Sequence, residues 1–350
     1  MSYSTIDKPT DYFNTLLYTG NNGSDRSITG VGFQPDLVWN KNRSASANHN
    51  LWNGVTGITQ RLTSSGTQAS ENYSSEFKSF DSDGVTITQN AGSLDINNSS
   101  YNYVNWNWLG ANGTASNSNG SITSTVSANT TSGFSIVSYT GTGSNATVGH
   151  GLGSVVKMFF VKELSNANSW EVYHVSEGAG KNAQLNSNAA FESQGSSRWN
   201  STAPTSTTIS IGTDSGVNRS SSNYIAYCFA EKKGYSKFGS YTGNGSTDGT
   251  FVYTGFKPAF VLWKRTEDAG YDWDMYDTAR DTYNVAFKEL MANSNAAESS
   301  ATVLSLDILS NGFKLRTSND NGNGSGKPYI YMAFAESPFV GSNFVPNNAR

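Results

Sequence analysis

Four carboxylates crowd one tryptophan: Asp272, Asp274, Asp277 and Asp281 around Trp273. Hydrolysis of a glycosidic bond needs two carboxyl groups a few ångströms apart, one serving as acid and the other as base or nucleophile. This cluster is therefore the first place to look for an active site. The stretch near Trp170 offers Glu171 and His174 instead, and the one near Trp52 offers Asn53 and Thr56. Chemistry that fades from copy to copy reads more simply as a polar surface loop beside a packed tryptophan. No catalytic residue is assigned, and the chain is expected not to be an enzyme.

Binding asks for less. The apolar face of a sugar stacks on an aromatic ring while its hydroxyls pair with amides and carboxylates. Trp199, Tyr271 and Tyr283 stand in polar stretches and, with Trp273, Asp274 and Asp277, form the set of candidate ligand-binding residues. Metal chemistry finds no foothold: His49, His150 and His174 are single and far apart, without ligand spacing. Asp81-Ser-Asp-Gly84 and Asn319-Asp-Asn-Gly322 could donate oxygens to Ca²⁺, but neither continues to the acidic residue that completes a calcium loop, so both read as turns. No cofactor is expected, with Ca²⁺ the one alternative. A Gly-x-Ser-x-Gly elbow, a Walker loop and a Cys-His pair are all missing.

The elements that would position these residues repeat three times. Tyr-Thr-Gly begins at Tyr18, Tyr139 and Tyr241, and a lysine closing an apolar run follows 23 residues later each time, at Lys41, Lys162 and Lys264. A tryptophan comes next, at Trp52, Trp170 and Trp273. An aromatic closing strand ends each copy: Tyr103 to Trp108, Tyr224 to Phe229 and Tyr329 to Phe334. Period-two alternation places Val104, Trp106 and Trp108 on one face with Ile225, Tyr227 and Phe229 and with Ile330, Met332 and Phe334. The opposite face holds small residues in copies two and three but Asn105 and Asn107 in copy one, which should be polar-contacted or wet. Glycines 84, 216 and 312 end turn-like strings that call for positive φ. One short helix is expected around Asn284 to Asn293.

The expected organisation is repeat 1 with an N-terminal segment over 1–112, a Ser/Thr/Asn/Gly linker or weak edge strand over 113–133, repeat 2 over 134–234 and repeat 3 over 235–350. The fold class is all-β, with three tandem β-sandwich domains of jelly-roll or concanavalin-like kind. Composition agrees. Charged residues make up 14 % of the 350 and aromatic residues 13 %, with 35 glycines, a mixture that favours short strands and many turns. A net charge of −4 without a basic stripe argues against nucleic acid. No long apolar run argues for membrane insertion, and the single Cys228 reads as a buried thiol. The start lacks the basic and apolar regions of a signal peptide, so synthesis in the host cytoplasm is expected.

The strings Tyr241-Thr-Gly-Asn-Gly-Ser246, Tyr276-Asp-Thr-Ala-Arg-Asp281, Ile308-Leu-Ser-Asn-Gly-Phe-Lys-Leu-Arg316 and Tyr329-Ile-Tyr-Met-Ala-Phe-Ala-Glu336 resemble a domain family of unknown function in tail and other structural proteins of marine tailed bacteriophages, cyanophages among them. The opening Ser4 to Phe13 is similar to the start of such proteins. The resemblance spans nearly the whole chain. It implies a lectin-like β-sandwich and a place in the virion, and it brings no catalytic residues with it. The resulting expectation is a structural virion protein, a tail-fibre or appendage component that attaches to host-surface glycan. Other virion proteins and copies of itself would be its partners. A capsid-decorating protein and a depolymerase or free lectin are the alternatives. Copy one, with its N-terminal segment, would anchor to the particle, and copy three would face the host.

Overall fold

The computed structural model describes residues 4–73, 76–88, 95–342 and 345–348. The protein is all-β, built from antiparallel sheets. Three large sheets share one strand order. An opening strand (Phe13–Thr19, Phe134–Thr140, Ser236–Thr242) pairs with a closing strand (Asn102–Trp108, Asn223–Ala230, Pro328–Pro338). Next come a central strand (Leu37–Asn42, Val156–Glu163, Phe256–Arg265) and a flank strand (Asn50–Asn53, Trp170–His174, Trp273–Asp277). A further strand (Gly57–Leu62, Lys181–Gln184, Leu290–Met291) follows, and a two-residue strand, Glu71–Asn72 or Glu192–Ser193, edges the first two sheets. Residues 113–133 contribute Ala115–Asn117 and Ser124–Asn129, a hairpin that extends the second sheet, so of the two readings offered for this stretch the strand holds.

Both faces of these sheets are buried, for different reasons. One face of each, carrying Val137, Phe159 and Ala226 in the second unit, packs under a small sheet of two or three strands and forms a core local to that unit. The other face, with Ile136, Phe160 and Tyr227, joins its counterparts in one shared core. At its centre the rings of Trp108, Phe229 and Phe334 touch pairwise, with centroids 6.5, 5.7 and 5.9 Å apart. The three units thus close about a pseudo-threefold axis.

The seams obey the same symmetry. Ala47 N donates to Asn295 O, Asn168 N to Thr67 O and Gly270 N to Asn188 O. Glu298 N to Arg43 O, Ser70 N to Leu164 O and Phe191 N to Thr266 O form the return bonds. Closure also brings Asp7 onto Ser342, setting the first unit's leading segment beside the third unit's trailing one. The first and third units, expected to anchor and to display, are thus direct neighbours.

Several local expectations are revised. Residues 284–293 form no helix: Asp281 accepts from Phe287 N and Lys288 N, and Leu290 and Met291 pair with the flank strand instead. The α-helix described is a single turn, Ser215–Asn218, capped by Asp214, and Gly216 lies in it without positive φ. Gly84 does adopt positive φ, and a Cβ there would stand 2.0 Å from Ile28 O. Gly312 needs no positive φ, yet its Cβ would lie 2.1 Å from Val252 O, so close strand approach demands glycine in both places.

Register also moves one element. Lys162 pairs with Trp170 and Lys264 with Trp273, whereas Val38 pairs with Trp52 just as Phe159 pairs with Tyr173 and Val261 with Tyr276. Trp52 is therefore the counterpart of the two tyrosines, and His49 stands where Trp170 and Trp273 do. Asn50 and Asn53, not Asn53 and Thr56, match Asp274 and Asp277.

Candidate functional site

The flank strand carries the candidate carboxylates, and it is buried throughout in all three units. Its first position reaches across a seam: His49 Nε2 lies 3.0 Å from Met291 O, Trp170 Nε1 donates to Thr63 O and Trp273 Nε1 to Gln184 O. Its last position reaches across the opposite seam. Asn53 Nδ2 donates to Tyr227 Oη, His174 Nε2 lies 3.3 Å from Tyr331 O, and Asp277 Oδ2 accepts from Trp106 Nε1 at 3.0 Å. Asp277 also accepts from Arg280, whose guanidinium is bonded in turn to Glu298. These groups fasten one unit to the next.

Between them lies the position held by Asn50, Glu171 and Asp274. Asp274 is fully enclosed. Asn321 Nδ2 donates to its Oδ2 at 2.6 Å, and burial, then the adjacent Glu289 carboxylate, push its carboxyl well above the usual range. A carboxyl so enclosed is out of reach of solvent. Glu171 is raised by burial too, although Arg198 lies 3.1 Å away. The histidines are held neutral by burial, His174 down to about 4, and burial lowers Lys41, Lys162 and Lys264 each to about 8. In every copy that lysine donates to the carbonyl of the next residue, Asn42, Glu163 or Arg265, which satisfies an ammonium otherwise cut off from water.

The structure thus brings Trp273, Asp274 and Asp277 together on one strand and encloses all three. Trp199 offers no ring face either. It packs 4.7 Å from Phe159 in the second unit's local core and donates its Nε1 to Lys181 O, so the polar residues beside it in sequence mislead about its side chain. Tyr271 is half-buried, with Arg265 stacked 3.9 Å from its ring centroid, and Tyr283 alone of the set stands free at 81 % exposure. Asp83 accepts from Gly30 N and Gly32 N on a distant segment and Asn319 from Asn321 N within its own turn, so both strings considered for Ca²⁺ already spend side-chain oxygens on backbone N–H groups. Among the described residues no cluster of three metal-ligating side chains occurs.

A concave site does open in the first unit. A cavity of about 370 Å³ is lined by Ser46, Asn48, Asn50, Arg61, Glu71 and Tyr73, with Ala47, Gln68 and Asp95 completing its wall. Asn50 is the counterpart of Glu171 and Asp274, and Arg61, on the neighbouring strand, donates Nε to it at 2.8 Å. Sequence reading missed this group. Its members are spread from residue 46 to 95, and the only local signal was an arginine inside the otherwise strand-like run Gly57 to Leu62.

Comparison with known proteins adds one match. The family model of a Domain of unknown function (DUF7483) covers residues 8–338, nearly the entire ring. No curated protein matches the chain.

Proposed function

The chain belongs to the DUF7483 family, whose function is unknown, and from that premise we propose that it is a structural component of a tailed-phage particle, a tail-fibre or appendage part that binds host-surface glycan without turnover. The observation that carries this reading is the closure of three repeats about the Trp108–Phe229–Phe334 axis. Cyclic symmetry in one component is what a symmetric partner can engage at three equivalent places, and weak contacts made together gain avidity of roughly 10²-fold or more. The two-layer packing of each unit suits a lectin-like sandwich. Enclosure of Asp274 and Asp277 supports binding over hydrolysis. With a net charge of −4, such contacts rest on polar and aromatic groups and depend only modestly on salt.

Cryo-EM of the particle tests the placement. The reading expects three-lobed density of this size on the tail or its fibres. The same lobes at threefold positions of the capsid would make it a decoration protein, and polysaccharide cleavage abolished by Asp274→Ala would overturn the non-enzymatic reading.

A further inference from the structure

We infer that the cavity of the first unit is a binding site for an uncharged sugar, one or two rings in size, which names the ligand class and location within the glycan-binding reading above and rests on it. The cavity's volume of about 370 Å³ falls at the small end of the range that ligand pockets occupy. Its charged groups are already engaged with the protein. Arg61 is nearly enclosed and pairs with Glu71, while Asp95 accepts from Tyr103 Oη at 2.9 Å and Asn42 Nδ2 at 2.6 Å. An anionic sugar would meet two carboxylates against one guanidinium that is already paired, and a cation would meet that guanidinium.

What remains unspent is neutral hydrogen-bonding capacity. The side chains of Ser46 and Gln68 and the amide nitrogen of Asn48 bond to nothing among the described residues. Asn48 Oδ1 is held only at 3.2 Å, by Ser65 Oγ. Hydroxyl groups, each both donor and acceptor, match such a mixture. Tyr73 supplies the apolar element: it is half-buried, and the Arg61 guanidinium, 5.4 Å from its ring centroid, holds it in place. A ring so fixed loses little freedom when a sugar stacks on it.

The other two units support the assignment by contrast. At the same place in the second unit, Glu171 is bonded to Asn182 and to Arg198, which arrives from a different loop and also pairs with Asp214. In the third unit Asn321 closes on Asp274. Those positions are filled by side chains of their own units, so one site per chain is expected.

The test uses the whole chain, titrated by calorimetry and saturation-transfer NMR with methyl glucoside, methyl galactoside, N-acetylglucosamine, maltose and glucuronate. The inference expects at least one neutral sugar to bind with Kd on the order of 1 mM, and Tyr73→Ala and Gln68→Ala each to weaken it about tenfold or more. Both variants lie at the cavity wall, and an unchanged melting temperature would show that they fold. Binding that survives both in folded protein would overturn this location while leaving glycan binding itself intact. A preference for glucuronate would overturn the neutral class. No binding by any probe would overturn the inference and the glycan part of the proposed function together, whereas the virion placement stands or falls separately on the particle reconstruction.

Discussion

The tyrosine clamp and the flank strand each occur three times, yet the first keeps its residues and the second exchanges them. In the clamp, Tyr18 stacks on Tyr103, Tyr139 on Tyr224 and Tyr241 on Tyr329, at 5.0, 5.2 and 4.8 Å. Each first tyrosine donates to a loop carbonyl, of Ile96, Val217 or Gly322, and each second one accepts from a loop N–H, of Asn98, Arg219 or Gly324. A buried asparagine, Asn97, Asn218 or Asn323, fixes the facing turn. The partners common to all three copies are backbone atoms of the same unit, so one side-chain solution serves three times, and the first copy adds the side chains of Asn40 and Asp95 to it. On the flank strand the partners belong to a different unit, some of them carbonyls and some side chains, and each seam pairs different neighbours. His49, Trp170 and Trp273 solve one geometric problem with two chemistries. Identity is kept where a residue answers to its own unit and drifts where it answers to a different one.

The largest effect should come from the axis that both regions surround. Phe334→Ala removes a ring in contact with two others at the centre and is expected to cost about 3–5 kcal/mol by urea denaturation. A loss under about 1 kcal/mol would show that the shared core does not hold the units together.

Acid should act next, through the flank strand. His174 titrates near 4 in the folded protein because it is buried, against 6.5 when unfolded. Between these values the unfolded chain binds the proton and the native one does not. Stability is therefore full above pH 6.5 and declines as pH falls toward about 4, by roughly 3 kcal/mol from this group. His174→Gln should flatten that decline, and an unchanged acid limb would place the pH dependence elsewhere.

The clamp predicts smaller, matched effects. Tyr139→Phe and Tyr241→Phe each remove one buried hydroxyl bond to a carbonyl, and each is expected to cost about 1–2 kcal/mol, equal within error. Unequal values would break the claim that the clamps are equivalent.

The smallest effect has the opposite sign. Asp274 has its folded pKa raised by burial and by Glu289, so it lowers stability as pH rises above the ordinary carboxylate range. Asp274→Asn places there the amide that Asn50 provides in the first unit. At pH 7 it should leave stability unchanged or raise it by about 1 kcal/mol, read from the denaturation midpoint, and a clear loss would mean that the charge is wanted.

Much of the repeat was legible because backbone demands leave regular traces. The tyrosines, the lysines and the alternation of the closing strands all sit at fixed spacing, and both Asn105 and Asn107 are buried with polar contacts, from Asn40 Nδ2 and to Asn14 O. The flank register was not legible, because Trp52 matches Trp170 and Trp273 in type while lying three positions from their geometric counterpart. Ring closure was hidden for a related reason: a strand buried on both faces does not say whether the second face meets its own unit or another. Trp199 and the cavity depend on contacts between distant residues, which local polarity cannot report.

The seams, the shared core and the axis all require three units that behave as one body. Hydrogen exchange followed through urea unfolding, with peptides resolved from each unit, tests this most directly. Amides of the three closing strands, 102–108, 223–230 and 328–338, should lose protection together at a single free energy. One unit opening at markedly lower urea while the other two stay protected would contradict a ring closed about a common axis.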